Sequence, residues 1–202
     1  MYREPVYVVD DDRDLTTMIE WALGKEGLTV RTFSQPEVFL ETLGKEPCGC
    51  VLLDLRMPGL TGLEVQQVML DRQIDVPILF LSGYADVPSV TSAFRGGAVD
   101  FLEKPIDVRS LVERVVHALE ISRNHREEAC QKAERDLLIA RLTNREKEIL
   151  QNISHGLTSK EIGKALAISP RTVEIHRGHI MGKLAIRSIA DLVAFSISNG
   201  IR

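Results

Sequence analysis

The chain has 202 residues, more than one ordinary domain needs, and its 44% hydrophobic content allows real cores to form. A formal charge of −4 argues at first sight against a nucleic-acid partner, but residues 138–202 carry +5 while residues 1–137 carry −9. An acidic part joined to a basic part implies two tasks, with the basic part suited to a phosphate backbone. Cys48, Cys50 and Cys130 are odd in number and show no repeating ligand spacing, so they are expected to be small, partly buried thiols rather than metal or redox ligands. No charged N-terminal segment leads into a long apolar stretch, and no run of 18 apolar residues occurs. The expectation is a soluble, cytoplasmic protein with no membrane partner.

Strand and helix signals alternate through the first 120 residues. Pro5 to Val9 is a short apolar run stopped by three aspartates, hence a strand and then a loop. Leu15, Met18, Ile19, Ala22 and Leu23 recur at helical spacing and stop at Gly27. Leu28 to Phe33 alternates as a strand, and Pro36 to Leu43 is a short helix closed by Gly44. Val51 to Leu53 is a buried strand ending at Asp54, Leu63 to Leu70 a helix, and Pro77 to Leu81 a buried strand. Val87 to Arg95 is a helix closed by Gly96 and Gly97, and Val99 to Leu102 a fifth strand. Val108, Leu111, Val112, Val115, Val116 and Leu119 mark an amphipathic helix. Five strands separated by helices predict a parallel sheet covered on both faces, whose functional residues gather at the carboxyl ends of the strands. Asp10, Asp11 and Asp12 follow the first strand, Asp54 the third, Ser82 the fourth and Lys104 the fifth, so the conspicuous polar residues share one edge.

Between about Ser122 and Leu137 the chain is dense in charge and free of Pro and Gly, which predicts a helical linker continuing the preceding helix. Four short helical segments follow. Thr143 with Glu146 and Thr158 with Glu161 match capping boxes, Ser169–Pro170 is an N-cap followed by a first-turn proline, and Ser188 caps the last helix, which ends at Gly200.

Clustered carboxylates repel one another unless a cation sits among them, so Asp10, Asp11 and Asp54 point to a hard divalent ion, Mg²⁺. Such an ion, Lys104 and the Ser82 hydroxyl together can stabilise the oxygens of a phosphoryl group. Asp54, alone after a buried strand, is placed to attack phosphorus. Singly, each residue is a common turn or cap former. The joint arrangement carries the weight, and Asp12 and Asp14 are assigned to starting the first helix.

The stretches VYVVDDD from Val6, VLLDLRMPGLTGLE from Val51, ILFLSGYAD from Ile78 and GGAVDFLEKPID from Gly96 resemble the receiver domain of bacterial response regulators. The resemblance implies that Asp54 accepts a phosphoryl group from a sensor histidine kinase. It implies that Asp11, Asp54 and the backbone carbonyl of Arg56 ligate Mg²⁺, with Asp10 acting largely through water, and that Ser82 and Lys104 hold the phosphoryl oxygens. The Lys104–Pro105 bond is expected to be cis. Ser82 and Phe101 resemble the family's coupled switch pair: Ser82 moving inward to a new phosphoryl group vacates space that Phe101 fills. The bland role of Phe101 is a core aromatic. Arg56 and Tyr84, each two residues past a site residue, are expected to rim the pocket and tune phosphoryl lifetime.

Two helix signals joined by Ala167, Ile168 and Ser169 lie between Leu157 and Lys183, the spacing of a helix-turn-helix. On the second helix Val173, Ile180 and Leu184 share a face that should be buried. Arg171, Ile175, Gly178 and Gly182 lie opposite, flanked by Glu174 and His179. Arg171 and His179 can bond phosphates or base edges, Ile175 can touch a thymine methyl, and Glu174 can accept from cytosine or pair with Arg171 or Arg177. Arg177 is divided between phosphate contact and packing. LTNREKEIL from Leu142, GLTSKEIGKALAISPRTVEIHRGHIMGKL from Gly156 and RSIADLVAF from Arg187 resemble the LuxR-type helix-turn-helix. With the receiver, the order is that of the NarL/FixJ family, in its FixJ-like branch. The resemblance implies a recognition helix from Pro170 to Lys183 in the major groove, with Thr172 among the contacting residues and Thr158, Ser159, Lys160 and Lys183 on phosphates.

The expected architecture is therefore a flavodoxin-like, doubly wound α/β receiver of strand order 2-1-3-4-5 (residues 1–121), a helical linker (122–137) and an all-α four-helix LuxR-type domain (138–202). The expected function is phosphorylation-driven homodimerisation and binding to promoter double-stranded DNA, with RNA polymerase as a further partner and activation as the family's usual outcome. Two rivals are an aspartyl phosphatase and an adaptor whose basic domain binds protein or RNA. Phosphatase folds usually carry a second acid two residues after the nucleophile, where this chain has Arg56, so no enzyme is expected.

Overall fold

The computed structural model describes residues 4–44, 47–83, 87–199 and 201. They divide into two compact units, with the boundary between Glu128 and Ala129. In the first unit β1 (Pro5–Val9), β2 (Thr29–Phe33), β3 (Cys50–Asp54), β4 (Ile78–Ser82) and β5 (Asp100–Glu103) form one parallel sheet of order β2-β1-β3-β4-β5. Between the strands run α1 (Arg13–Lys25), α2 (Pro36–Thr42), α3 (Gly62–Asp71) and α4 (Val87–Arg95), and α5 (Val108–Ala140) follows β5.

Side chains alternate across each strand and build a core on either face of the sheet. Val6, Val8, Cys50, Leu52, Leu79, Leu81 and Leu102 meet Ile19 and Leu23 of α1 and Leu111, Val115 and Leu119 of α5. Tyr7, Val9, Val51, Leu53, Ile78 and Phe80 meet Phe39 of α2, Val65 and Met69 of α3 and Ala93 of α4. Each fully buried Val, Leu, Ile or Phe contributes roughly 1.5–3 kcal/mol. Because β3 and β4 are covered on both faces, every residue in them is buried, which explains their unbroken apolar runs. β2 is an edge strand, and its more polar TVRTF is mostly exposed.

The strands gain residues at the functional edge relative to the sequence expectation. Asp54 and Ser82 are the last paired residues of β3 and β4 rather than loop residues after them. A hydrophobic pattern cannot see a polar residue that still bonds in the ladder. Helix α2 ends at Thr42 with Leu43 as its cap, one residue before the expected stop. Residues 122–126 also pack on this unit: Ser122, 2% exposed, accepts from Gly49 N at 3.2 Å, and His125 and Arg126 pair with Asp75 and Glu4. Cys50 is buried and its thiol is pushed up by desolvation, whereas Cys130 is exposed, not partly buried.

The second unit contains α6 (Asn144–Ser154), α7 (Ser159–Ala165), α8 (Pro170–Lys183) and α9 (Ile189–Ser198). Thr143, Thr158, Ser169 and Ser188 cap them as their side-chain chemistry predicts, the first two in full capping boxes. The last helix is capped by Asn199, and Gly200 lies outside the described residues. Leu142, Ile149, Leu150, Ile153, Ile162, Val173, Ile180, Leu184 and Leu192 form its core. The turn between α7 and α8 rests on Gly163: a Cβ there would lie 2.7 Å from the carbonyl oxygen of Ile168. Among the described residues no helix is long and apolar enough to cross a membrane.

Candidate functional site

The parallel register delivers the polar residues of β1, β3, β4 and β5 to one edge. The Asp12 side chain caps α1 by accepting from Asp14 N and Leu15 N, and Asp12 N donates to Asp10 Oδ1 at 2.9 Å. This turn holds Asp10, 1% exposed, against the end of β3. Asp54, 5% exposed, accepts from Arg56 N at 3.1 Å through Oδ2 and from Lys104 Nζ at 2.9 Å through Oδ1. Lys104 Nζ also donates to Asp10 Oδ2 at 2.6 Å. One carboxylate oxygen from each of Asp10, Asp11 and Asp54 falls within 4.8 Å of the others, with Asp11 exposed at the mouth. Lys104 is fixed from behind, where its N–H donates to the Ser82 carbonyl at 2.7 Å, and the Lys104–Pro105 bond is cis.

Burial raises the Asp54 pKa above the ordinary carboxylate value. The hydrogen bond from Lys104 opposes this, the charge of Asp10 adds to it, and the Arg56 N–H lowers it again. For Lys104, burial works against the charged form, but bonds to Asp10 and Asp54 outweigh it and raise its pKa. One ammonium thus serves two buried carboxylates, with the Asp11 carboxylate beside them. An all-oxygen donor set with surplus negative charge, open on the Asp11 side, fits a small hard divalent cation.

Gly62 permits the approach of α3 to this edge. A Cβ on it would stand 2.3 Å from the Asp54 carbonyl oxygen and 3.0 Å from the Phe80 ring. In the sequence Gly62 gives no sign of this role, because a close backbone approach leaves no signature beyond the glycine itself. A cleft of about 260 Å³ beside Asp10, lined by Arg13, Thr16, Thr17, Thr32 and Ser34, has no sequence signature either, since its walls come from α1 and the end of β2.

Ser82 is buried at the end of β4, with Glu103 its register partner on β5. Phe101, opposite Phe80, is half-buried against the core formed with α2, α3 and α4. Arg56 is exposed, and Tyr84 lies outside the described residues.

On α8, Val173 and Ile180, with Leu184 at its C-terminal cap, are buried, while Arg171, Glu174, Ile175, Gly178, His179 and Gly182 are exposed and Thr172 is half-buried. Added Cβ atoms at Gly178 and Gly182 would meet nothing within 4 Å, so packing does not require these glycines. Lys160 and Arg171 are exposed and form no ion pair with any described residue. Arg177 is held inside the unit: it donates to Ser159 Oγ at 2.7 Å and lies 3.5 Å from Glu174 Oε1, and the Ser159 hydroxyl bonds Glu174. Glu174 therefore pairs with Arg177 rather than Arg171. Lys183 donates to buried Glu146 at 2.6 Å, and Thr158 caps α7 with Glu161.

The sheet order and the carboxylate–lysine edge define the first unit as a receiver-type fold, and the second presents a helix-turn-helix. Residues 6–116 match the response regulator receiver domain, and residues 140–196 match the bacterial regulatory proteins of the luxR family. The transcriptional regulatory protein TdiR of Thauera aromatica is 40% identical over 190 residues, covering 94% of this chain and 84% of that protein. FixJ of Bradyrhizobium diazoefficiens is 34% identical over 199 residues, covering 97% and 96%. The response regulator StyR superposes with a TM-score of 0.89 at 34% identity over 96% of this chain and 98% of StyR. Full-length FixJ from B. japonicum superposes with a TM-score of 0.61 at 32% identity over the whole of both chains. The chain belongs to the two-component response regulators that join a receiver to a LuxR-type DNA-binding domain, the NarL/FixJ family, and its relatives are transcriptional regulators rather than enzymes.

Proposed function

We propose that Asp54 is the phosphoacceptor of a DNA-binding switch, with a cognate sensor histidine kinase as donor and promoter DNA as target. The observation that carries this reading is the convergence of Asp10, Asp11, Asp54 and Lys104 at one sheet edge. In the transfer, an Asp54 carboxylate oxygen forms the new O–P bond as the N–P bond of the kinase phosphohistidine breaks, and the proton balance is completed on the departing imidazole. Asp10, Asp11 and Asp54, with the Arg56 backbone carbonyl, would hold Mg²⁺, which when bound supplies divalent charge to the phosphoryl oxygens. Lys104 leaves its pairing with the Asp54 carboxylate to meet the transferred oxygens, and Ser82 donates to them from β4. Phe101 moves into the space that Ser82 vacates, and the surface around α4, β5 and α5 reshapes into a homodimer interface. The receiver covers residues 1–121 together with the start of the charged part of α5, which packs on it as far as Arg126; the rest of that part to residue 137 is the linker, and residues 138–202 bind DNA.

On the duplex, α8 enters the major groove with Arg171, Thr172, Ile175 and His179 toward it, and Gly178 and Gly182 leave its face flat enough for close approach. Thr158, Lys160 and the capping turn of α7 meet phosphates, while Ser159, Glu174, Arg177 and Lys183 support this surface through the contacts described above. Two linked half-sites on a dimer gain avidity. The regulator acts in the cytoplasm, bringing RNA polymerase to the promoters it activates. Selecting duplexes from a random pool and titrating them with and without acetyl phosphate tests the reading. Wild type should gain roughly 5–150-fold in affinity, the span of ordinary allosteric coupling, and Asp54→Asn should gain none. Equal affinities with and without phosphodonor in wild type would overturn the switch.

A further inference from the structure

A second cluster of ligand-type side chains lies in the DNA-binding unit, unconnected with the phosphoryl chemistry. Glu146 in the first turn of α6 and His176 and His179 on α8 each bring one ligand atom within 4.8 Å of the other two. His176 is half-buried and His179 exposed, and their rings stand at 89° with centroids 6.5 Å apart. Glu146 is 3% exposed, yet its hydrogen bonds fall on a single oxygen. Oε2 accepts from Thr143 N at 2.8 Å, Thr143 Oγ at 2.9 Å and Lys183 Nζ at 2.6 Å, while Oε1 has no hydrogen-bond partner among the described residues. A carboxylate with one oxygen held by three donors is a pre-oriented ligand through the other, since partners on the far oxygen fix the near one.

We propose that Glu146, His176 and His179 form a site for a transition-metal dication of the Zn²⁺ class, with an outward coordination position left open. Two imidazoles and one carboxylate are a donor set that such ions favour over Mg²⁺ or Ca²⁺, which prefer oxygen alone. Metal–ligand bonds of about 2.0–2.1 Å place tetrahedral ligands about 3.4 Å apart. The ligand atoms must therefore close by about 1.4 Å at most, which rotation of the two imidazoles about χ1 and χ2 can supply. The opposing charge is Lys183, whose ammonium bonds the other oxygen, Oε2, at 2.6 Å. A bound ion ties α6 to α8 and stabilises this unit by linkage. The duplex reading of α8 is not required for this site.

The test titrates the full chain, freed of metal by chelator and held in excess Mg²⁺ to fill the receiver carboxylates, with Co²⁺ alone and then Zn²⁺. Wild type should bind one Co²⁺ with visible d–d absorption, Zn²⁺ should displace it, and Zn²⁺ should raise the thermal midpoint. His179→Ala, at an exposed position that leaves folding intact, should weaken Co²⁺ binding by about tenfold or more, as should His176→Ala, since loss of a direct ligand costs at least what loss of an outer partner does. The double variant Cys48→Ser/Cys130→Ser should bind as wild type does. Absent d–d bands, wild-type affinity in both histidine variants, or binding lost in the cysteine variant would each overturn the assignment.

Discussion

Glu146 and Asp54 are both buried and both meet a lysine at hydrogen-bond distance, yet they are held in opposite ways. Glu146 has Lys183 at 2.6 Å, with no second acid among the described residues on that ammonium, and two further bonds from Thr143. Burial alone would raise its pKa, but the bonds from Lys183 and Thr143 outweigh burial and bring it to about 2. Asp54 shares Lys104 with Asp10 and has one backbone N–H, so burial prevails and its pKa rises. The lesson is that the donors folding brings to a buried acid, not burial by itself, decide which way its pKa moves. The under-compensated carboxylate, beside further acids and open to solvent at one side, is the one suited to a hard all-oxygen cation and a phosphoryl group.

The strongest way to break this contrast is chemical. Asp54→Ala should lose phosphoryl incorporation from acetyl phosphate entirely while Glu146→Gln keeps it, as read by intact-protein mass spectrometry; labelling of Asp54→Ala at the wild-type level would end it. Next, Lys104→Ala should abolish the phosphodonor-dependent gain in duplex affinity, roughly 5–150-fold in wild type, in a gel-shift titration. Gly62→Ala drives a methyl group into the Asp54 carbonyl. It should cost about 1–3 kcal/mol in urea unfolding and diminish the stabilisation by Mg²⁺.

Glu146→Gln sharpens the comparison from the structural side. Measured with chelator present, it should cost about 1–3 kcal/mol at pH 7, because it leaves Lys183 without its charged partner. A depressed carboxylate pKa gives stability that is full above the unfolded value near 4.3 and is lost as pH falls towards 2. The gap between variant and wild type should therefore close over that interval. The smallest effect is at Gly178→Ala, which meets no atom within 4 Å. It should stabilise the helix by up to about 1 kcal/mol and weaken duplex binding, and unchanged duplex affinity would remove the close-approach role of that face.

Much of this was legible in the order of residues. Strand and helix alternate with periods that a single chain reveals, so the doubly wound sheet and the convergence of Asp10, Asp54, Ser82 and Lys104 at its edge follow from pattern and topology together. The capping boxes at Thr143 and Thr158 are local chemistry and were equally visible. Less legible were pairings that depend on which side chains meet across elements. Arg177 bonds Ser159 from α7, Lys183 reaches α6, and the Glu146–His176–His179 cluster joins residues 30 or more apart in the chain.

Glycine shows the same division. Gly27 and Gly97 are stops that periodicity predicts, whereas Gly62 and Gly163 answer to backbone atoms of other segments and reveal their reason only in three dimensions. Sequence alone determined elements, caps, the polar edge and the split of charge, because these arise from near neighbours or from a period along the chain. The tertiary structure decided which acid is held below its ordinary pKa and which above, because that balance depends on the number of donors folding brings to each carboxylate and on how much water it excludes.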